Sequence, residues 1–336
     1  MKHKISIAFQ TDKSAAQYIA LAKLVNQYDF DVVTVYCDLP YHPPFAPLML
    51  MAPHTERAQV GVAAIPPSRI HPVDIAAQTA LLAEIAAGGV YIGLARGAWL
   101  QAHAIQEQQP SIQSIREAGE VIRYLLGGST GGYQGHIYQL ADHVRAPYPL
   151  PNYRVPLLIG TWGKQLGKLA GEVADEVKVG GSANPDFVPI MQSYIKAGEV
   201  AANRPAGTVQ VVMGAVSVID EDQKLARRIA KEAVALYLPV VAALDPTVQI
   251  ETALLERIQG HVNRHEQAQA GALISDELLS RFAFAGNVED FIDHANRLFE
   301  AGAGRVEFGT PHGMPPEKGI RLIGEHVIPE LRKTWR

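Results

Sequence analysis

The sequence contains one cysteine, Cys37, in 336 residues. No disulfide can close within the chain, and a disulfide framework or a cysteine-rich metal site is excluded. Charge of one sign is also missing: 30 Lys and Arg stand against 34 Asp and Glu, a formal net charge of −4, with no block of like charge. That leaves no electrostatic footprint for nucleic acid or for an anionic membrane surface. Long hydrophobic runs are absent as well, because Pro, Gly or a charge interrupts every apolar stretch before the ~20 residues needed to cross a bilayer. The opening MKHKISIAFQ lacks the apolar core and small-residue cleavage site of a signal peptide. A soluble, cytoplasmic protein with neither a nucleic-acid nor a membrane partner is expected. Several motifs are missing too. There is no G-x-S-x-G elbow, no G-x-x-x-x-G-K-[ST] and no H-E-x-x-H, and Ala8-Phe9-Gln10-Thr11 stands where G-x-G-x-x-G would follow a first strand. Serine hydrolysis, NTP cleavage and a dinucleotide fold are therefore unsupported.

Apolar substance is plentiful. Hydrophobic residues make up 48% of the chain and charged residues 19%, which excludes disorder through low hydrophobicity. Apolar runs occur at Ile5 to Gln10, Asp31 to Cys37, Val60 to Ile65, Val90 to Ala95, Val155 to Gly160, Glu176 to Val179, Val209 to Ile219 and Val306 to Gly309. They lack strict alternation, as strands buried on both faces do. Helical patterns lie between them at Ser14 to Gln27, Pro72 to Ala86, Ser111 to Leu126, Gly163 to Ala174, Asp186 to Ala201 and Val288 to Glu300. Pro72 suits a first helical turn, and Asn287 with Glu289 and Asp290 just inside reads as an N-cap. Eight such units in a chain of this length predict an α/β fold, a (β/α)8 TIM barrel forming one domain over residues 1–336. Two regions exceed a minimal barrel. One is a loop or hairpin insertion, 131–154, before strand five; the other is a helical insertion of two or three helices, 221–280, between strands seven and eight.

In a barrel the chemistry collects at the C-terminal ends of the strands. Two of those ends make a phosphate cradle. Gly160-Thr161-Trp162-Gly163-Lys164 runs from a strand into a helix N-terminus, where free N–H groups and the helix dipole favour an anion. Gly180-Gly181-Ser182 follows one βα unit later. Glycine at strand ends also has a purely structural reading. Asp38 either exchanges a proton with substrate or caps its turn. Arg96 either pairs with a cofactor carboxylate or phosphate or forms a salt bridge to a neighbour. Trp99 and Trp162 line a ring pocket or simply pack. His261 and His265 have the spacing of metal ligands, but a solvated helix face explains them better, and no metal is assigned.

Beyond these patterns the chain resembles the luciferase-like family of flavin and deazaflavin oxidoreductases. The resemblance is carried by Val60-Gly-Val-Ala-Ala-Ile-Pro-Pro-Ser-Arg-Ile-His-Pro72, by Val90-Tyr-Ile-Gly-Leu-Ala-Arg-Gly97 and by Val155-Pro-Leu-Leu-Ile-Gly-Thr-Trp-Gly163. The tail segments Phe282-Ala-Phe-Ala-Gly286, Glu307-Phe-Gly-Thr-Pro-His-Gly313 and Ile320 to Pro329 are similar to methylenetetrahydromethanopterin reductase, in the deazaflavin branch. The resemblance implies an enzyme that binds coenzyme F-420, a 5-deazaflavin, or FMN in the barrel mouth, and that transfers a hydride to or from a small-molecule substrate. It also implies a homodimer. In the deazaflavin branch a non-prolyl cis peptide on strand three lies behind the ring; the match places it within 61 to 64, at Val62-Ala63, and makes Val62, Ala63 and Ala64 cofactor-binding. Two departures stand out. Asp38 replaces the His that deazaflavin dehydrogenases carry after strand two, and Ala98 stands where some relatives carry an acid. The alternatives are an FMN-dependent monooxygenase, a non-catalytic flavin-binding barrel and, last, a hydrolase with paired carboxylates.

Overall fold

The computed structural model describes residues 3–335. Eight parallel strands form its centre: β1 Lys4–Phe9, β2 Val32–Val35, β3 Gln59–Ile65, β4 Val90–Leu94, β5 Leu157–Gly160, β6 Glu176–Gly180, β7 Gln210–Ile219 and β8 Arg305–His312. Each pairs in parallel with the next, and β8 pairs with β1, so the sheet closes on itself. This is the (β/α)8 barrel predicted from the apolar runs. The strands carry Val, Ile and Leu on both faces because the helices cover the outside while the barrel fills its own inside.

Local signals set the helix starts. Ser14 accepts from the Gln17 backbone and Gln17 answers the Ser14 N–H, a reciprocal cap that opens helix Ala15–Val25. His71 caps Pro72–Ile85 through Nδ1, with proline at the first helical position. Asn287 and Asp290 form the same reciprocal cap on Val288–Glu300. Helices Ser111–Leu126, Lys164–Val173 and Val188–Ala201 complete the set read from the sequence. Among the described residues no helix is long and apolar enough to cross a membrane.

The first insertion takes the hairpin form of the two expected, and the second differs in detail. Residues 131–154 hold a short antiparallel hairpin, Tyr133–Gln134 with Gln139–Leu140. The buried Glu117 carboxylate fixes it by accepting from the N–H groups of His136, Ile137 and Tyr138 at 2.8, 2.7 and 2.9 Å. The second insertion has five helices rather than two or three: Gln223–Ala235, Leu238–Val241, Thr252–Asn263, Gln267–Ala272 and Asp276–Phe282. Helix-ending chemistry divides it, with Pro246 between the second and third helices, His265 at φ 58° after the third, and Ser275 capping the fifth. These helices bury a small core of their own around Val218, Ala230, Leu238, Ile258 and Phe282. A ninth strand, Ala283–Gly286, pairs with Val216 to Ile219. It is four residues long, too short for periodicity to mark. It raises the wall above the β6–β7 side of the mouth.

Candidate active site

The floor of the mouth is made of small residues. β3 carries one residue more than β4 between the Val62↔Ile92 and Ile65↔Leu94 pairs, a bulge formed at Ala63 and Ala64. The non-prolyl cis bond joins Ala63 to Ala64, inside the expected window but one residue beyond the Val62-Ala63 pair. Val62 is fully buried, Ala63 packs into the barrel interior beside Tyr91 and Leu158, and Ala64 is half-buried. At Gly160 on β5 an added Cβ would press at 3.3 Å on the Cβ atoms of both Ala64 and Ala95. Three neighbouring strand ends therefore meet with almost no side chain between them.

Beside this floor the chain turns at Thr161-Trp162-Gly163 into helix Lys164–Val173. Gly163 is the N-cap of that ten-residue helix and supplies no side-chain cap, so the first-turn N–H groups remain open to a ligand. A Cβ on Gly163 would meet only the Thr161 Oγ1, at 3.7 Å, and one on Gly180 would meet nothing within 4 Å. Glycine at both places thus leaves space above the backbone. Trp162 ties the two loops together by donating from Nε1 to the Gly180 carbonyl at 2.9 Å, and its ring packs on Phe187.

Gly181 and Ser182 contribute differently from expectation. Their N–H groups both donate to the Gly214 carbonyl, at 2.7 and 3.2 Å, and the buried Ser182 hydroxyl accepts from Asn184. Their role in the turn is therefore shape, with Gly181 at φ 79°; the Gly163 N–H is itself taken by the Thr161 hydroxyl at 3.0 Å, so the open donors are those of the first helical turn after Gly163. Arg96 is exposed, and its guanidinium grips Glu107 through two bonds of 2.6 and 2.7 Å. Its fork is engaged away from the Gly163 turn. Trp99 is exposed at the same rim, and His261 is held by Glu266 at 2.7 Å.

Opposite the cradle, β1 and β2 bring Gln10 and Asp38 together. Gln10 donates from Nε2 to Asp38 Oδ2 at 2.9 Å, while its own Oε1 accepts the Thr11 N–H. Burial raises the Asp38 pKa above the usual carboxylate value, and it outweighs the Gln10 hydrogen bond and the charges of Lys178 and Arg69 that favour ionisation. The adjacent Cys37 thiol is pushed up to about 11 by burial, so it stays protonated. His312, at the β8 tip, is fully buried and held down to about 3; it is a neutral packing group against Phe9.

Reading along the strands did not single out the polar residues inside the barrel. Lys178 and Glu307 form a buried ion pair across β6 and β8. Glu307 also accepts from the Thr34 hydroxyl at 2.7 Å, and Thr34 shares a 2.7 Å bond with Tyr91. Arg305, fully buried, reaches Glu176 at 2.6 Å. The Lys178 ammonium lies 4.8 Å over the Tyr36 ring, two residues before Asp38. Burial alone would raise the Glu307 pKa, but Lys178 and Arg305 outweigh it and keep the carboxylate below its usual value. One signal was available: Glu176 and Lys178, and Arg305 and Glu307, each stand two apart in a strand, the spacing that turns both toward one face.

Comparison with known proteins agrees with this fold. The model of the family described as luciferase-like monooxygenase matches residues 2–305. The 5,10-methylenetetrahydromethanopterin reductase of Archaeoglobus fulgidus is 26% identical over 339 residues, covering 98% of this chain and all of that one. Among solved structures, the coenzyme F-420-dependent tetrahydromethanopterin reductase from Methanopyrus kandleri superposes with a TM-score of 0.88 at 24% identity, covering 98% of this chain and 99% of that one. An F-420-dependent secondary alcohol dehydrogenase, solved with an F-420-acetone adduct, gives 0.79 at 18% identity, covering 98% and 99%. With a closed barrel, an open helix N-terminus and a small-residue floor at one end, and a family match across most of its length, the chain belongs to the luciferase-like monooxygenase family.

Proposed function

We propose that this protein is an oxidoreductase that binds coenzyme F-420 in the barrel mouth and moves a hydride between it and a small organic substrate. The observation that carries the reading is the uncapped helix start at Gly163 beside the bare floor of Ala64, Ala95 and Gly160. An anion-binding terminus next to a flat, side-chain-free surface suits a phosphate-bearing, planar cofactor. The coenzyme F-420-dependent reductase from Methanopyrus kandleri, similar along the whole chain, favours the deazaflavin. When bound, that coenzyme supplies two-electron hydride chemistry.

The chain's own residues have separable tasks. The N–H groups after Gly163, with Lys164 beside them, hold the phosphate, and Trp162 fixes the spacing of the β5 and β6 loops. Gly160, Val62, Ala63 and Ala64 form the surface behind the ring, and Gly180, Gly181 and Ser182 shape the far wall. Asp38, half-buried and biased toward its protonated form, gives a proton to a substrate oxygen or nitrogen as that atom gains electrons, and takes it back in the reverse direction. Gln10 holds the carboxyl in place through Oδ2. Arg96, occupied by Glu107, orders the rim. Barrel helix Pro72–Ile85, which leaves Leu81 and Ile85 exposed, is the surface on which a homodimer would form.

The test is anaerobic. Reduced coenzyme F-420 is mixed with the protein and a panel of ketones, aldehydes and cyclic iminium ions, and the return of the oxidised chromophore is followed. Substrate-dependent oxidation without oxygen supports the reading. Turnover that requires oxygen and reduced FMN would replace it with a monooxygenase, and binding without turnover of either would replace it with a non-catalytic barrel.

A further inference from the structure

We infer that the protein has a second ligand site, on the outside of the barrel at the end opposite the mouth, and that this site takes a carboxylate with an aliphatic tail. No residue of the mouth takes part in it, so it stands or falls apart from the oxidoreductase reading.

A cavity of about 510 Å³ lies between the second half of helix Ser111–Leu126, the segment 150–156 and the flank of β4 and β5. Segment 150–156 leads into the start of β5 at Leu157, so the cavity opens at the N-terminal end of the strands. Its volume falls within the roughly 300 to 1,000 Å³ of small-molecule sites. The floor is aliphatic. Ile92 and Leu157, register partners on β4 and β5, belong to the layer between sheet and helices, whereas Tyr91 and Leu158 turn into the barrel. Ile122 and Leu126 face them from the helix. Leu150 and Tyr153 stand at the opening, each 37% exposed. A tail laid along this floor would be removed from water on one side by carbon alone.

The charges around the cavity select the head group. Among the described residues that line it, the charged ones are Arg123 and Arg154, and no carboxylate is with them. Behind them lies Asp175, whose oxygens are already engaged: Oδ2 accepts the Leu157 N–H at 2.8 Å and Oδ1 pairs with Arg154 at 2.8 Å. Arg123 stands 3.9 Å from that carboxylate, beyond hydrogen-bond reach, and donates instead to the Val173 carbonyl. Its Nε, shut off from solvent, has no partner among the described residues. Burial and the like charges of Arg154 and Arg204 lower the Arg123 pKa against the pull of Asp175 and Glu120. Arg204 is turned to the Gly171 and Ala174 carbonyls, and Glu120 receives the Tyr133 hydroxyl. Three guanidiniums thus stand against two carboxylates, an excess of one positive charge that a monoanion would balance. Arg123 and Arg154 are 35% and 60% exposed along their side chains, and a guanidinium fork matches a carboxylate edge to edge. A tail without a head would leave that charge unbalanced, and a head without a tail would leave the floor uncovered.

The experiment is calorimetric titration of the full chain with three probes: octanoate, octan-1-ol, which keeps the tail and lacks the charge, and acetate, which keeps the head and lacks the tail. Hydrogen exchange locates the bound probe, and the titrations are repeated on Arg154→Gln and on Leu150→Asp, two exposed positions whose melting temperatures and oligomeric masses are measured alongside. Octanoate should bind at one site per chain, at least about tenfold tighter than octan-1-ol or acetate, and should slow exchange in 119–127 and 150–157. Each folded variant should weaken it by about tenfold. Octan-1-ol or acetate binding as well as octanoate overturns the inference. So does protection confined to other segments, or octanoate affinity that neither variant changes. A dimer in solution whose formation alone protects 119–127 and 150–157 overturns it too, by making the cavity an interface between copies. Coenzyme F-420 uptake, measured separately, bears on the oxidoreductase reading and leaves this result untouched.

Discussion

Replacing Gly163 by Asp has two consequences of opposite sign if the turn is an anion cradle. The backbone there has φ −90° and ψ 145°, ordinary N-cap values that any residue adopts, and a Cβ meets nothing closer than Thr161 Oγ1 at 3.7 Å. The variant should therefore fold without strain. Its carboxylate caps the helix and faces the positive end of the dipole, so the cofactor-free protein gains stability of roughly a few tenths to 1 kcal/mol. The same charge repels a bound phosphate. Two unit charges about 4 Å apart cost about 1 kcal/mol in bulk water and about 4 kcal/mol at the effective dielectric of a protein surface. Gly163 is exposed, so the lower part of that range applies, a loss of roughly tenfold in cofactor affinity. Gly163→Ala, which adds bulk without charge, should leave affinity close to wild type. Thermal melting of the cofactor-free proteins and fluorescence titration with coenzyme F-420 check both halves. Unchanged affinity in the Asp variant would show that no phosphate lies at this turn.

Four further outcomes follow from the buried and half-buried titratable groups. Wild-type turnover should fall as pH rises through the raised Asp38 pKa, and Asp38→Asn should abolish that limb and lower kcat more than cofactor affinity; a pH profile unchanged by the substitution would remove Asp38 from proton transfer. Ionising this half-buried group also costs stability, so the wild-type protein should lose stability as pH rises from the ordinary carboxylate value to the raised one, a slope Asp38→Asn removes in denaturant titrations. Glu307→Gln leaves the Lys178 ammonium buried without its counterion and should cost about 3 to 5 kcal/mol in chemical denaturation, most of it recovered by adding Lys178→Met. His294, buried and donating to the Ala183 carbonyl at 2.6 Å, is held down to about 4 by burial. The unfolded chain takes up that proton near 6.5, so the stability is complete above that pH and is lost as pH falls toward 4. Between pH 7 and pH 5 His294 should account for about 2 kcal/mol, a difference absent in His294→Gln.

The barrel was legible because each of its eight strands is an apolar run bounded by turn residues, and because Pro72, Ser14 and Asn287 announce helix starts through local chemistry. The uncapped helix start at Gly163 was legible for the same reason, since a glycine at a strand-to-helix turn is a local feature. What the sequence concealed depends on partners far apart in the chain. Lys178 and Glu307 are 129 residues apart, and only barrel closure makes them a pair. The Gly181 and Ser182 amides look free in sequence, yet the Gly214 carbonyl on the neighbouring strand takes both. Arg96 looked free for a phosphate until the loop folded back to bring Glu107 against it. The strand Ala283–Gly286 has no periodicity to show and exists because β7 overshoots the barrel and offers an edge.

The most direct test is side-by-side titration of the purified cofactor-free protein with coenzyme F-420 and with FMN, followed by absorbance and fluorescence. The account predicts saturable binding of the deazaflavin in preference to FMN, weakened by Gly163→Asp and preserved in Gly163→Ala. Binding of neither, or binding indifferent to a charge at Gly163, would contradict the claim that this barrel mouth is a deazaflavin site.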